Sequence, residues 1–194
     1  MSEFWVFLQL GFEHISDING YDHILFILAL CAIYSFSQWK EVLILVTAFT
    51  IGHSVTLALA SLKVVSISTD LVEFLIPVTI FITAVFNYFF RKEAHSKNVN
   101  QRYLVALFFG LIHGLGFSNY LRSLLGDDSG IFWQLLAFNV GLEVGQIFIV
   151  FVILILALLF VQIGRMQKRE WNLLLSGAAG GIALTMIFER NIFW

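Results

Sequence analysis

Long apolar runs separated by short polar breaks set the rhythm of this chain. A membrane-spanning helix needs about 20 mostly apolar residues at about 1.5 Å of rise each. Runs near 22–38, 40–62, 69–90, 102–121, 131–164 and 171–189 approach or exceed that length. They predict an all-α membrane protein, a bundle of about six transmembrane helices forming one domain over 1–194. Residues 3–13 are apolar but too short to cross; they read as an interfacial or re-entrant helix, ended by the turn chemistry of Ser16-Asp17-Ile-Asn-Gly20. The fifth run is roughly 51 Å long as helix, so it is expected to tilt or to project beyond the bilayer. Pro77, one turn after Glu73, predicts a kink.

Composition agrees with the pattern. The chain is 59% hydrophobic and 12% charged, where a soluble domain has roughly 45–50% and about 25%; its mean hydropathy is +0.89. A net charge of −2 with no basic stripe excludes nucleic acid as a partner. The single cysteine, Cys31, excludes a disulfide framework and a thiolate metal cluster, and reads as a small apolar filler. Met1-Ser-Glu-Phe-Trp5 lacks the positive start of a signal peptide, so the first segment is expected to remain. The expected partner of such a surface is membrane lipid, with a homo-oligomer left open.

Lysine and arginine in the short loops predict the orientation. The strongest basic loop, 91–102, and the next, Arg165 to Arg169, are expected on the cytoplasmic side of a multi-pass membrane protein. His95 falls in that first loop and reads as a surface residue. The acidic loop with Asp127 and Asp128, and the segment from His14 to His23, then lie outside.

Against this apolar background the ionisable residues are conspicuous. An ionisable group in hydrocarbon costs about 2.5–3.5 kcal/mol on insertion scales, so such groups usually face a bundle interior and serve a site. His14, Asp22, His23, His53, Glu73, His113 and Glu143 occupy or border the apolar runs, and the orientation above puts His23, His53, Glu73 and His113 in the outer half of the membrane. Asn139, Glu143 and Gln146 share one face of their helix, and Thr47, Thr50, His53 and Thr56 form a stripe on another. Gly110/Gly114 and Gly141/Gly145 flank His113 and Glu143 and would let helix backbones approach closely. Phe49-x3-His53 returns as Phe109-x3-His113, a faint internal echo.

Four segments resemble the signature blocks of the HupE/UreJ family: Gly20-Tyr-Asp-His-Ile-Leu-Phe26, Thr47-Ala-Phe-Thr-Ile-Gly-His-Ser-Val-Thr-Leu57, Phe109-Gly-Leu-Ile-His-Gly-Leu-Gly-Phe117 and Phe138-Asn-Val-Gly-Leu-Glu-Val-Gly-Gln146. The resemblance covers about residues 11–147 and implies a small bacterial inner-membrane permease for nickel or cobalt. The family spaces a histidine five residues before its Asp-His; here seven residues separate His14 from Asp22-His23, and Asp17 is an alternative for that position, as in a divergent branch. Chemistry alone gives a coarser answer. Several imidazoles with one or two carboxylates suit Ni(II), Co(II) or Zn(II), and ligand identity does not separate them. The expected ligands are His14, Asp22, His23, His53, Glu73, His113 and Glu143, with Asp17, Thr50, Ser54, Asn139 and Gln146 as supporting groups that orient the imidazoles.

Two other functions compete. A zinc-dependent intramembrane hydrolase would use three histidines and an open position, with Glu143 or Glu73 as general base, although H-E-x-x-H and G-x-S-x-G are both missing from the chain. A non-transporting accessory subunit would bind no metal. No phosphate-binding loop of the G-x-x-x-x-G-K-[ST] kind occurs, so transport would draw on a gradient, the membrane potential or a cytoplasmic metal sink.

Overall fold

A chain surrounded by hydrocarbon must satisfy its backbone hydrogen bonds internally, and this one does so with helices. The computed structural model describes residues 2–89, 99–125 and 131–192, and among them no strand occurs. The order is α1 (Glu3–Ser16), α2 (Asp22–Cys31), a short 3-10 turn (Phe36–Gln38) leading into α3 (Trp39–Ser61), α4 (Thr69–Phe89), α5 (Val99–Gly116), α6 (Ser118–Leu125), α7 (Ile131–Ala157, continued by a π-helical stretch over Leu158–Ile163) and α8 (Lys168–Glu189). His95, Asp127 and Asp128 lie outside the described residues.

Among the described residues four helices are long and apolar enough to cross a membrane: Phe36–Ser61, Thr69–Phe89, Ile131–Ile163 and Lys168–Glu189. A fifth span results if α5 and α6, bent by 50° at Phe117, count as one. The expected count of about six therefore changes at the first run. In place of a helix over 22–38, α2 has 10 residues, roughly 15 Å. The reason is local: Ser35-Phe-Ser-Gln38 is a capping sequence that starts a new helix. The Ser35 backbone N–H donates to Gln38 Oε1 at 3.3 Å, and the Gln38 N–H donates to the Ser35 carbonyl at 2.8 Å. Pro77 stays inside α4 without ending it.

The helices are held in register by glycine. Along one seam α3 and α5 run in the same direction. A Cβ at Gly52 would meet the Leu107 carbonyl oxygen, one at Gly110 that of Phe49, and one at Gly114 that of His53, all closer than 3.0 Å. A second seam joins α1 to α7, again in the same direction. Gly11 lies against the Phe138 carbonyl, Gly141 against that of Leu8, and Gly145 against the Ile15 side chain. The start of this pair is fixed by Gln134, whose side-chain N–H donates to Glu3. The helix expected over 3–13 thus extends to Ser16 and spends its inner face on α7: Phe7, Gly11 and Ile15 are buried. On the far side, α4 and α8 are antiparallel. Asn87 Nδ2 donates to the Ala29 carbonyl at 2.7 Å and to Ser176 Oγ at 3.1 Å, and Asn172 Nδ2 donates to the Asn87 carbonyl at 2.9 Å. That buried triad ties α2, α4 and α8 together.

In the first seam the opposing atoms are backbone, which cannot swing aside. Gly52→Val is expected to cost about 1–3 kcal/mol, the usual penalty for overpacking, read as a lower unfolding midpoint in detergent micelles. Gly177→Ala, at a site with nothing within 4 Å, should show no loss. An unchanged midpoint for Gly52→Val would mean that the seam does not hold the bundle.

Candidate metal centre

Each histidine of the cluster is delivered by a feature already described. His14 sits in the last turn of α1 and His23 in the first turn of α2. The turn between them is closed by Asp17, whose carboxylate accepts the Asn19 N–H at 2.8 Å, a common way for Asp to reverse a chain. The two rings consequently face each other with centroids 4.6 Å apart. His53 and His113 are carried on the glycine seam of α3 and α5, with Gly114 against the His53 backbone. The His23 ring lies 5.8 Å from that of His53 and 5.2 Å from that of His113, and His14 lies 6.0 Å from His53.

Three of these residues, His14, His23 and His53, offer one ring nitrogen each within 4.8 Å of one another. Nitrogens bound tetrahedrally at about 2.0–2.1 Å from one ion stand roughly 3.3 Å apart, so contractions of up to about 1.5 Å would bring this trio onto a single ion. His53 and His113 are fully enclosed and His23 nearly so. Nε2 of His14, Nε2 of His23, both ring nitrogens of His53 and Nδ1 of His113 are buried without a hydrogen-bond partner. Burying a polar group unpaired costs on the order of 1–3 kcal/mol, and folded proteins rarely leave such groups so. Five at one place is a site built for something other than its own stability.

One ring nitrogen of His113 is paired with a hydroxyl. Thr79 Oγ1 donates to the Ile76 carbonyl at 2.7 Å, and the same oxygen lies 2.9 Å from His113 Nε2. A hydroxyl has one proton, so with that proton on Ile76 the Nε2–H of His113 must donate to Thr79. The lone pair is then on Nδ1, the unpartnered nitrogen. Aromatic rings enclose the group. Phe117 lies 3.9 Å from His14 and stacks on Phe138 at 5.2 Å. On another side Phe26 and Phe49 stack at 4.8 Å, and each lies within 5.2 Å of His113. Phe109, 6.1 Å from Phe26, also borders a cavity of about 290 Å³ lined by Leu30, Tyr34, Thr83, Asn87 and Arg102.

The carboxylates depart from expectation. Among the described residues the metal-competent group consists of histidines alone. Asp22 is drawn to Arg190 at 3.0 Å. Glu73 is exposed near the start of α4. Glu143 accepts a hydrogen bond from the Thr47 hydroxyl at 2.6 Å, and Asp17 is exposed and engaged with its own turn. Among the described residues no carboxylate joins the trio as a further ligand. Nor do the expected supporting groups touch the imidazoles. Thr50 donates to Gln146 at 2.6 Å and Ser54 to Asn139 at 2.6 Å, so with Thr47 and Glu143 they form a polar ladder that fastens α3 to α7. Hydroxyls on the α3 stripe find these acceptors because both stripes have helical spacing and face each other. Sequence reasoning missed Thr79, whose only signal is a hydroxyl in mid-helix, and Arg190, the cation that follows the last turn of α8.

Fold and cluster together define a helical membrane protein with a buried histidine group suited to a transition-metal ion. The model of the family described as HupE / UreJ protein matches residues 1–190, and the chain belongs to that family, whose members are metal-transporter-like membrane proteins. No curated protein and no solved structure matches the chain.

Thr79→Val removes the acceptor for His113 Nε2–H at nearly constant volume. It is expected to weaken Co(II) binding by about 10–100-fold, the usual effect of losing a group that orients a ligand, with the fold retained. Competition titration against a chromophoric chelator measures it; unchanged affinity would separate His113 from the site.

Proposed function

We propose that this chain is a permease of the bacterial inner membrane for a divalent transition-metal ion, nickel or cobalt, and that the ion is its substrate. The carrying observation is the trio of His14, His23 and His53, with one ring nitrogen each within 4.8 Å of one another, and with at least one buried, unpartnered nitrogen on every ring. His113 Nδ1, beside His23, is the fourth donor. Neutral imidazole suits borderline ions such as Ni(II), Co(II) and Zn(II), and membership of the family favours the first two. The His14–His23 turn faces the extracytoplasmic side, the 91–102 loop the cytoplasm, and 1–194 is one transmembrane domain.

The route follows from what borders the cluster. Phe26, Phe49 and Phe109 separate it from the cavity of about 290 Å³. The ion is captured on the outer side of these rings and released through the cavity when they part. Imidazoles must be unprotonated to ligate, so protons compete with the metal and acid weakens uptake.

His53→Ala should reduce nickel and cobalt uptake by more than about tenfold, because removing a ligand costs at least as much as removing a supporting group. Elemental analysis of cells across Mn, Fe, Co, Ni, Cu and Zn measures this; undiminished accumulation would overturn the reading. Orientation has its own test. Ser66→Cys, in the exposed turn after α3, should react with an impermeant thiol reagent in intact cells, while the buried Cys31 stays silent. Labelling of Ser66→Cys only after lysis would invert the topology.

A further inference from the structure

The histidine cluster has an electrostatic deficit. Imidazoles are neutral donors, and among the described residues no carboxylate joins the group to offset a dication, in surroundings where charges interact far more strongly than in water. One carboxylate stands next in the chain to a ligand: Asp22, immediately before His23. It is turned to Arg190, with Nη1 at 3.0 Å from Oδ2 and Nη2 at 3.4 Å from Oδ1, a two-pronged pair.

Arg190 is held in place by features of two further helices. It terminates α8, where its backbone N–H donates to the Met186 carbonyl at 2.9 Å, and a cation is favoured at that end of a helix. Its Nη1 also lies 3.4 Å from the Glu73 carbonyl. That carbonyl is available because the residue four positions on is Pro77, which has no N–H to give it. The pair is unequally enclosed: the Arg190 side chain is 31% exposed and that of Asp22 14%. Arginine is the partner that can leave for water.

We propose that Arg190 is a positioning residue that works as a latch, holding the Asp22 carboxylate off the histidine cluster until a divalent cation arrives. The arriving ion competes with the guanidinium for the carboxylate. Arg190 swings to solvent, Asp22 turns toward His23 and supplies the missing negative charge. When the ion leaves, the pair reforms and Asp22 is withdrawn, so the carboxylate does not trap the ion permanently. This proposal rests on the histidine-site reading above.

The test is Co(II) titration of the purified full-length protein against a competing chelator. Arg190→Gln frees Asp22 and should tighten binding by about tenfold, within the usual range of coupling between two sites. Asp22→Asn should weaken binding, and in that background Arg190→Gln should no longer tighten it. A merely structural ion pair predicts the opposite sign, with Arg190→Gln losing both stability and affinity. Should Arg190→Gln fail to fold, Arg190→Lys, which keeps the charge but loses the two-pronged geometry, should still bind more tightly than wild type. Folded Arg190 variants with unchanged or weaker affinity overturn the latch. If His53→Ala binds Co(II) as well as wild type, the histidine site itself fails, whatever Arg190 does.

Discussion

Backbone contact through glycine is the constraint on which the arrangement depends. Association of helices in lipid gains little from burying apolar surface, because the surrounding tails are equally apolar, so close packing and hydrogen bonds must supply the specificity. Here two seams provide the packing. Gly52, Gly110 and Gly114 bring α3 onto α5, and Gly11, Gly141 and Gly145 bring α1 onto α7. The ladder of Thr47, Thr50 and Ser54 with Glu143, Gln146 and Asn139 then joins the two pairs. His14, His53 and His113 are carried on these seams, and His23 is tied to His14 by a short turn. Ring positions are thus set by backbone geometry rather than by hydrogen bonds to the rings.

That division of labour has a chemical consequence. Side chains that orient an imidazole also occupy one of its nitrogens. By placing the rings through the backbone, the fold leaves five buried ring nitrogens without partners, while Nε2 of His113 pairs with Thr79. On the proposed reading, an ion held by the cluster would recover the cost of burying those groups unpaired. The stacked phenylalanines add to this by excluding water that would otherwise satisfy the nitrogens.

Much of this was legible in the sequence, and the limits are instructive. The all-helical membrane fold follows from the apolar runs, and the small-xxx-small pairs at Gly110/Gly114 and Gly141/Gly145 do mark close approaches. The Phe-x3-His echo corresponds to Phe49 and His53 lying beside Gly110 and Gly114 on parallel helices. Composition could not reveal that α2 stops at Cys31, because apolarity continues through Tyr34 and only the Ser35–Gln38 cap ends it. Helical spacing located the polar faces but not their partners: Glu143 and Gln146 satisfy hydroxyls of α3 instead of meeting the histidines. Asp22 shows the same limit more sharply, since its partner Arg190 is 168 positions away and no local pattern announces it.

The most direct measurement is X-ray absorption at the metal edge of the purified protein loaded with one equivalent of Ni(II) or Co(II), for wild type and His53→Ala. Imidazole rings give a distinctive outer-shell scattering, so ligating histidines can be counted. The account predicts at least three imidazoles in wild type and one fewer in His53→Ala. A shell of oxygen alone, or an imidazole count unaffected by His53→Ala, would contradict it.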